Sequence, residues 1–395
     1  MLALRLTRGT HPLVLARRLL VAAASAGVGF LLLCTLGHAL GHPEQAPAST
    51  LRLLWCVLPL AATVQFAVAV ARTDPSTRPR PGLSAIGLGP ARLALLAAAS
   101  TAVTCALGSA VALLLYLHLR GDLTGLPFDG AAAGLLAGDQ PVPLAAVLTL
   151  LAVVPVTAAA AAALALRPRP APPVSSEASE ASEASEASGE DETMPSGLPW
   201  GVALIAIGLA VETYAGRGGG GDGLPLPGRF DGSPAAVLAG WVLTAIGLAT
   251  AGPALVHGCG RLLQTARPGA VRLLAGRVLM TESRRVGRPL GVVCAVLSGL
   301  LAAASLYGSD TGSDAFGPLT GLGATLILAC TCATLLTAAL ESRQGRAAVT
   351  EALLDASAPP TALRTAALLR AGVLLAVFLP LTWAVGELAA LPLKG

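Results

Sequence analysis

Few residues in this chain have types and spacings that could do chemistry. His38 and His42 lie four apart, as two metal ligands on one helix face would, but only Glu44 stands near enough in sequence to add a third. A histidine pair at the membrane interface, without metal, is the simpler reading. Cys330-Thr331-Cys332 has the outline of a redox or metal pair, yet it sits in a long apolar run, as do Cys34, Cys56, Cys105 and Cys294. With Cys259 in an Arg-rich stretch, the seven cysteines do not form a secreted disulfide framework. The run Gly218-Gly219-Gly220-Gly221 lacks the following Lys of a phosphate loop. Lys394 is the sole lysine, so Gly-x-x-x-x-Gly-Lys-Ser/Thr cannot occur, and if ATP drives this protein the ATPase is a separate chain. There is no His-Glu-x-x-His, and no pair of Asp residues, or Ser with His, deep in an apolar run for intramembrane proteolysis. No cofactor is expected, and the chain itself is not expected to be an enzyme. Arg52, Glu212, Arg370 and Glu387 do fall within apolar runs, where an ionisable group is a functional candidate. Each is close to the end of its run, which suggests a side chain reaching back to the interface.

The elements that carry these residues follow from composition. Hydrophobic residues make up 54% and charged ones 12% of 395 residues, and the mean hydropathy is +0.72. Soluble domains carry about 25% charge, so this chain could not cover a water-facing surface. An all-α polytopic membrane protein fits. A spanning helix needs about 20 mostly apolar residues. Nine stretches qualify: 17–40, 51–71, 93–117, 144–166, 198–214, 234–257, 288–307, 318–340 and 367–389. The first is too long for the apolar core of a signal peptide. The 45 glycines and the low aromatic content, 3%, suit close helix packing in lipid.

Basic residues orient these spans, because cytoplasmic loops are enriched in Arg and Lys. Twenty-one of the 26 basic residues fall on one side of the nine-span layout, and Arg52, Arg120, Arg217, Arg229 and Lys394 on the other. The expected location is the plasma membrane, with the N-terminus cytoplasmic and the C-terminus outside. A net charge of +4 gives no reason to expect nucleic acid as a partner.

The chain divides in an orderly way. Residues 1–166 hold four spans. Residues 167–197 run through Arg-Pro repeats and then Ser-Glu-Ala repeats that cannot form a core, so a disordered cytoplasmic linker is expected. Residues 198–271 hold two intervening spans and a basic loop, and 272–395 hold three. The first and last parts read as parallel repeats: a basic leading arm (Arg5, Arg17, Arg18; Arg277, Arg288), a helix, a short loop, a helix, then a basic inner loop. The second copy has one helix fewer than the first.

Those two inner loops are the most informative segments. The first reads Leu83-Ser-Ala-Ile-Gly-Leu-Gly-Pro-Ala-Arg-Leu93 and the second Ala352-Leu-Leu-Asp-Ala-Ser-Ala-Pro-Pro-Thr-Ala-Leu363. The first resembles the cytoplasmic coupling segment of FtsX-like ABC transporter permeases through Leu83, Ala85, Ile86, Gly87, Pro90 and Leu93; the neighbouring Leu88 adds an apolar foot. In the second copy Leu354, Ala356, Ser357 and Leu363 match, and Asp355 replaces the usual Gly. The resemblance implies a permease subunit whose segments 83–93 and 353–363 receive the push of a separate ATP-binding subunit. It also implies contact with membrane lipid and a homodimer or heterodimer of permease chains. The family's large extracellular domain is not expected here, since no outer stretch is long enough, so the substrate expected is apolar or amphipathic. An ion-coupled carrier using Glu212 or Glu387, and a scaffold or signalling subunit that transports nothing, are the rival readings.

A cysteine at position 182, in the linker, should be labelled by an impermeant maleimide only after the cells are opened. Labelling in intact cells would overturn the topology.

Overall fold

A computed structural model describes residues 12–74, 90–122, 130–134, 136, 138–167, 197–217, 235–265, 269–307, 317–355, 357 and 359–394. Among the described residues there is no strand, and nine helical stretches are long and apolar enough to cross a membrane. The protein is an all-α polytopic membrane protein. Lipid offers backbone N–H and C=O groups no partner, so each span must satisfy its own.

The helices are α1 (Pro12–Gly41), α2 (Ala46–Trp55), α3 (Val57–Thr73), α4 (Pro90–Arg120), α5 (Leu144–Ala165), α6 (Gly197–Arg217), α7 (Ala235–Gln264), α8 (Ala270–Tyr307), α9 (Pro318–Gly345), α10 (Ala347–Asp355) and α11 (Pro360–Lys394). Four of them begin on proline, where the missing N–H is no loss. The second span is α2 and α3 together, broken at Cys56. Pro59 explains the break, because its ring crowds the carbonyl four residues earlier, that of Trp55. The largest departure from expectation is the seventh span. It was placed at 288–307, yet α8 starts at Ala270 and takes in the whole basic leading arm. At 38 residues, and about 1.5 Å per residue, it measures roughly 57 Å, nearly twice the hydrocarbon thickness.

Two compact units divide the chain. One comprises Met1–Pro168, Pro225–Asp231 and Ser313–Thr334; the other comprises Arg169–Leu224, Gly232–Gly312 and Leu335–Gly395. In the first unit, α1 is the centre. Val21, Val28 and Leu31 pack with Phe66 and Val70 of α3 and Val154 of α5. Towards the other end, Leu33 packs with Tyr116 of α4 and Val147 of α5. Pro155 cannot bond to the carbonyl of Leu151. Ser109 of α4 takes up that freed carbonyl, its hydroxyl donating at 3.2 Å.

In the second unit α7 lies between α6 and α8, and glycines set both contacts. A Cβ on Gly247 would stand 2.7 Å from Cγ1 of Ile205 and 2.8 Å from the Gly201 carbonyl oxygen. On the other side, a Cβ on Gly287 would stand 2.6 Å from the nitrogen of Pro253. These backbones touch with no room for a side chain, the arrangement small residues permit in lipid. The leading arm of α8 joins the same core through Ala275 and Leu279, against Cys259 and Leu263 of α7 and Ala366 of α11.

Gly287→Val should therefore lower the thermal midpoint of the purified protein sharply, by about 1–3 kcal/mol of overpacking. Gly372→Ala, with nothing within 4 Å of the new Cβ, should leave it unchanged or raise it. Scanning fluorimetry in one detergent compares the two.

Candidate functional site

Leu83, Ile86, Gly87 and Leu88 lie outside the described residues. Pro90 is the first residue of α4. Leu93 is a residue of α4, buried in the first unit. The second segment folds as helix, turn, helix. Leu354 and Asp355 are exposed at the end of α10, and Leu363 is half-buried near the start of α11. The turn comes at Ser357, two residues after the Asp that stands in place of Gly. Its φ of 66° is left-handed, and its N–H donates to the Leu354 carbonyl at 2.9 Å. A non-glycine residue there costs about 1 kcal/mol. On α10, Val349 and Leu354 present apolar surface outwards.

Each unit carries an ion pair at a helix end. In the first, Arg18 of α1 pairs with Asp74 at 2.5 Å, just beyond the last residue of α3. The buried Arg17 donates to the Thr73 hydroxyl at 3.2 Å. A small cavity beside this pair is lined by Arg18, Asp74, Ser100, Thr101 and Thr104. In the second, Arg346 sits between α9 and α10 and pairs with Glu282 of α8 at 2.8 Å. Its Nε also donates to the Ser342 carbonyl at 3.2 Å. Arg370 of α11 lies within electrostatic reach of both.

The units share a second feature. Ser25 of α1 donates its hydroxyl to the Cys105 carbonyl of α4 at 2.8 Å. Ser298 of α8 donates to the Thr382 carbonyl of α11 at 3.0 Å. A glycine marks the close approach in each case. A Cβ on Gly108 would stand 2.8 Å from that of Ser25, and one on Gly386 would stand 3.2 Å from the Ser298 carbonyl oxygen.

The other candidates separate. Cys330 is buried and Cys332 exposed, as two residues apart on a helix must be, so they form no pair. The His38 and His42 rings stack at 4.4 Å. Among the described residues no three ligating side chains gather as for a metal. Arg52 and Glu387 are exposed and Arg370 half-buried. Glu212 overturns the expectation that it reaches the interface. Its side chain is fully buried, wedged against Gly240 of α7, with the Thr244 hydroxyl donating to Oε1 at 3.3 Å. Among the described residues, Oε2 has no hydrogen-bond partner.

No family model matches the chain, and neither a curated protein nor a solved structure matches it.

Glu212 sits where a larger or cationic group does not fit. Glu212→Gln should keep the fold, since the amide replaces the carboxyl atom for atom. Glu212→Arg should cost about 2 kcal/mol or more. Equal yield and thermal midpoint for both variants would show that α6 and α7 open freely at this point.

Proposed function

We propose that the chain is the membrane-spanning subunit of an ABC-type transport system related to the FtsX-like permeases. A separate ATP-binding protein supplies ATP hydrolysis, and the Arg-rich helix ends face it from the cytoplasm. The observation that carries this reading is the shared construction of the two units. Ser25 ties α1 to α4 and Ser298 ties α8 to α11, each hydroxyl on a backbone carbonyl beside a glycine, across 80 and 84 residues of chain. This favours a duplicated permease, and the Arg-rich ends of both copies suit a cytoplasmic entry for each. The basic loop that follows the second helix in each copy then faces the same compartment, where one ATP-driven partner acts on both. The second loop also presents a short helix with apolar residues outwards, the kind of foot that fits a groove in a partner. The substrate class that suits this chain is apolar or amphipathic, reached from the bilayer itself.

A second reading has one observation in its favour. The buried Glu212, with one carboxyl oxygen lacking a partner among the described residues, is the kind of group an ion-coupled carrier uses. Such a carrier would purify with no ATPase.

Ile86→Asp combined with Leu88→Asp should abolish co-purification of an ATPase with the tagged chain while leaving its membrane insertion intact. Undiminished recovery of the ATPase with this double variant would remove the first loop as the coupling element.

A further inference from the structure

The two ion pairs at the Arg-rich ends occupy the same place in the two units, with their signs reversed. One partner lies on the helix that opens each proposed repeat: Arg18 on α1, Glu282 on α8. The other lies where the chain leaves the second helix for its basic loop: Asp74 directly after α3, Arg346 directly after α9. Composition does not force this. Glu282 is the single acid of the leading arm 270–288, set among five arginines. It is the one that meets the loop.

Each pair is built to hold. The carboxylate side chains of Asp74 and Glu282 are 9% and 18% exposed, so salt screens them less than it screens a surface pair. Each loop exit is also fixed a second time, by Arg17 on the Thr73 hydroxyl and by Arg346 on its own helix at Ser342. Ser25 then ties α1 to α4, and Ser298 ties α8 to α11. Asp74, Arg18, α1, Ser25 and α4 form one connected path, and Arg346, Glu282, α8, Ser298 and α11 form another.

We propose that Arg18–Asp74 and Glu282–Arg346 are transmission struts, through which a push on each basic loop moves the helix that opens its own proposed repeat, α1 or α8. The proposal rests on the permease reading above. A strut differs from a passive clamp in what happens when it is cut. The partner still binds the loop, but the helix no longer follows.

The test uses the full chain in lipid nanodiscs with four variants: Asp74→Asn, Glu282→Gln, and the swaps Arg18→Asp with Asp74→Arg and Glu282→Arg with Arg346→Glu. Amide hydrogen exchange at 66–74 and 344–355 should speed up about fivefold in each neutralised variant and return towards the original rate in each swap. Unchanged exchange in the neutralised variants overturns the proposal without reference to any ATPase. The second measurement uses the complex captured from native membranes, with an environment-sensitive fluorophore on α1 or α8. The neutralised variants should keep the ATPase bound and lose most of the fluorescence change driven by ATP and vanadate. A signal that survives in them overturns the strut role alone. Absence of any ATPase with the unaltered chain overturns the permease reading and the strut role together.

Discussion

Everything in this structure depends on the absence of water around the backbone. A peptide group left unpaired in hydrocarbon costs several kcal/mol, so the chain must be helical wherever it crosses. Burial of apolar area does not then draw helix to helix, because lipid tails are as apolar as leucine. What remains is contact distance and hydrogen bonding. The chain uses glycine for the first and hydroxyl-to-carbonyl bonds for the second. Ser109 shows the constraint most directly. Pro155 removes a bond from α5, and a serine on the neighbouring helix takes up the orphaned Leu151 carbonyl. The proline and the serine explain one another.

The two units spend these devices differently. The first unit has a conventional side-chain core around Val28, Phe66 and Tyr116. In the second, α6, α7 and α8 meet through glycine, with Ile205 and Pro253 pressed against the facing backbone. Interhelical hydrogen bonds in membranes average only about 0.6 kcal/mol. Ser25 and Ser298 therefore fix register more than they add stability.

The sequence reveals the spans because hydrocarbon thickness imposes one length on all of them. Their ends fall close to expectation except where charge interrupts. The leading arm of α8 was missed because Arg272, Arg277, Arg284 and Arg285 mask its helical character in any apolar window. The buried pair Ala275 and Leu279, four apart, was the available signal. Glu212 was misplaced for a related reason. Distance from a helix end says how far a side chain must reach for water, but not which face it leaves from. That face turns towards Gly240 and Thr244. The serines could not be singled out at all. A serine in an apolar run looks the same whether it bonds its own helix, as Ser100 does at the Ala97 carbonyl, or a neighbour, as Ser25 does.

The ion pairs were beyond sequence reasoning for a different cause, and that cause bears on their role. Arg18 with Asp74 in the first unit has no match in kind in the second, where Glu282 pairs with Arg346. Reversing both charges preserves the attraction and erases the resemblance. What the two units share is then an interaction at a helix exit, not the residue types. A bond that only needed to add stability could have been replaced by packing, since apolar substitutes for ion pairs are often neutral or better. Placement at a helix exit in both units is what the proposed connection between loop and helix requires. The same reasoning explains why the pairs stand at the Arg-rich ends and not at mid-span. There the desolvation that makes an intramembrane charge expensive is smallest, and there the loops begin.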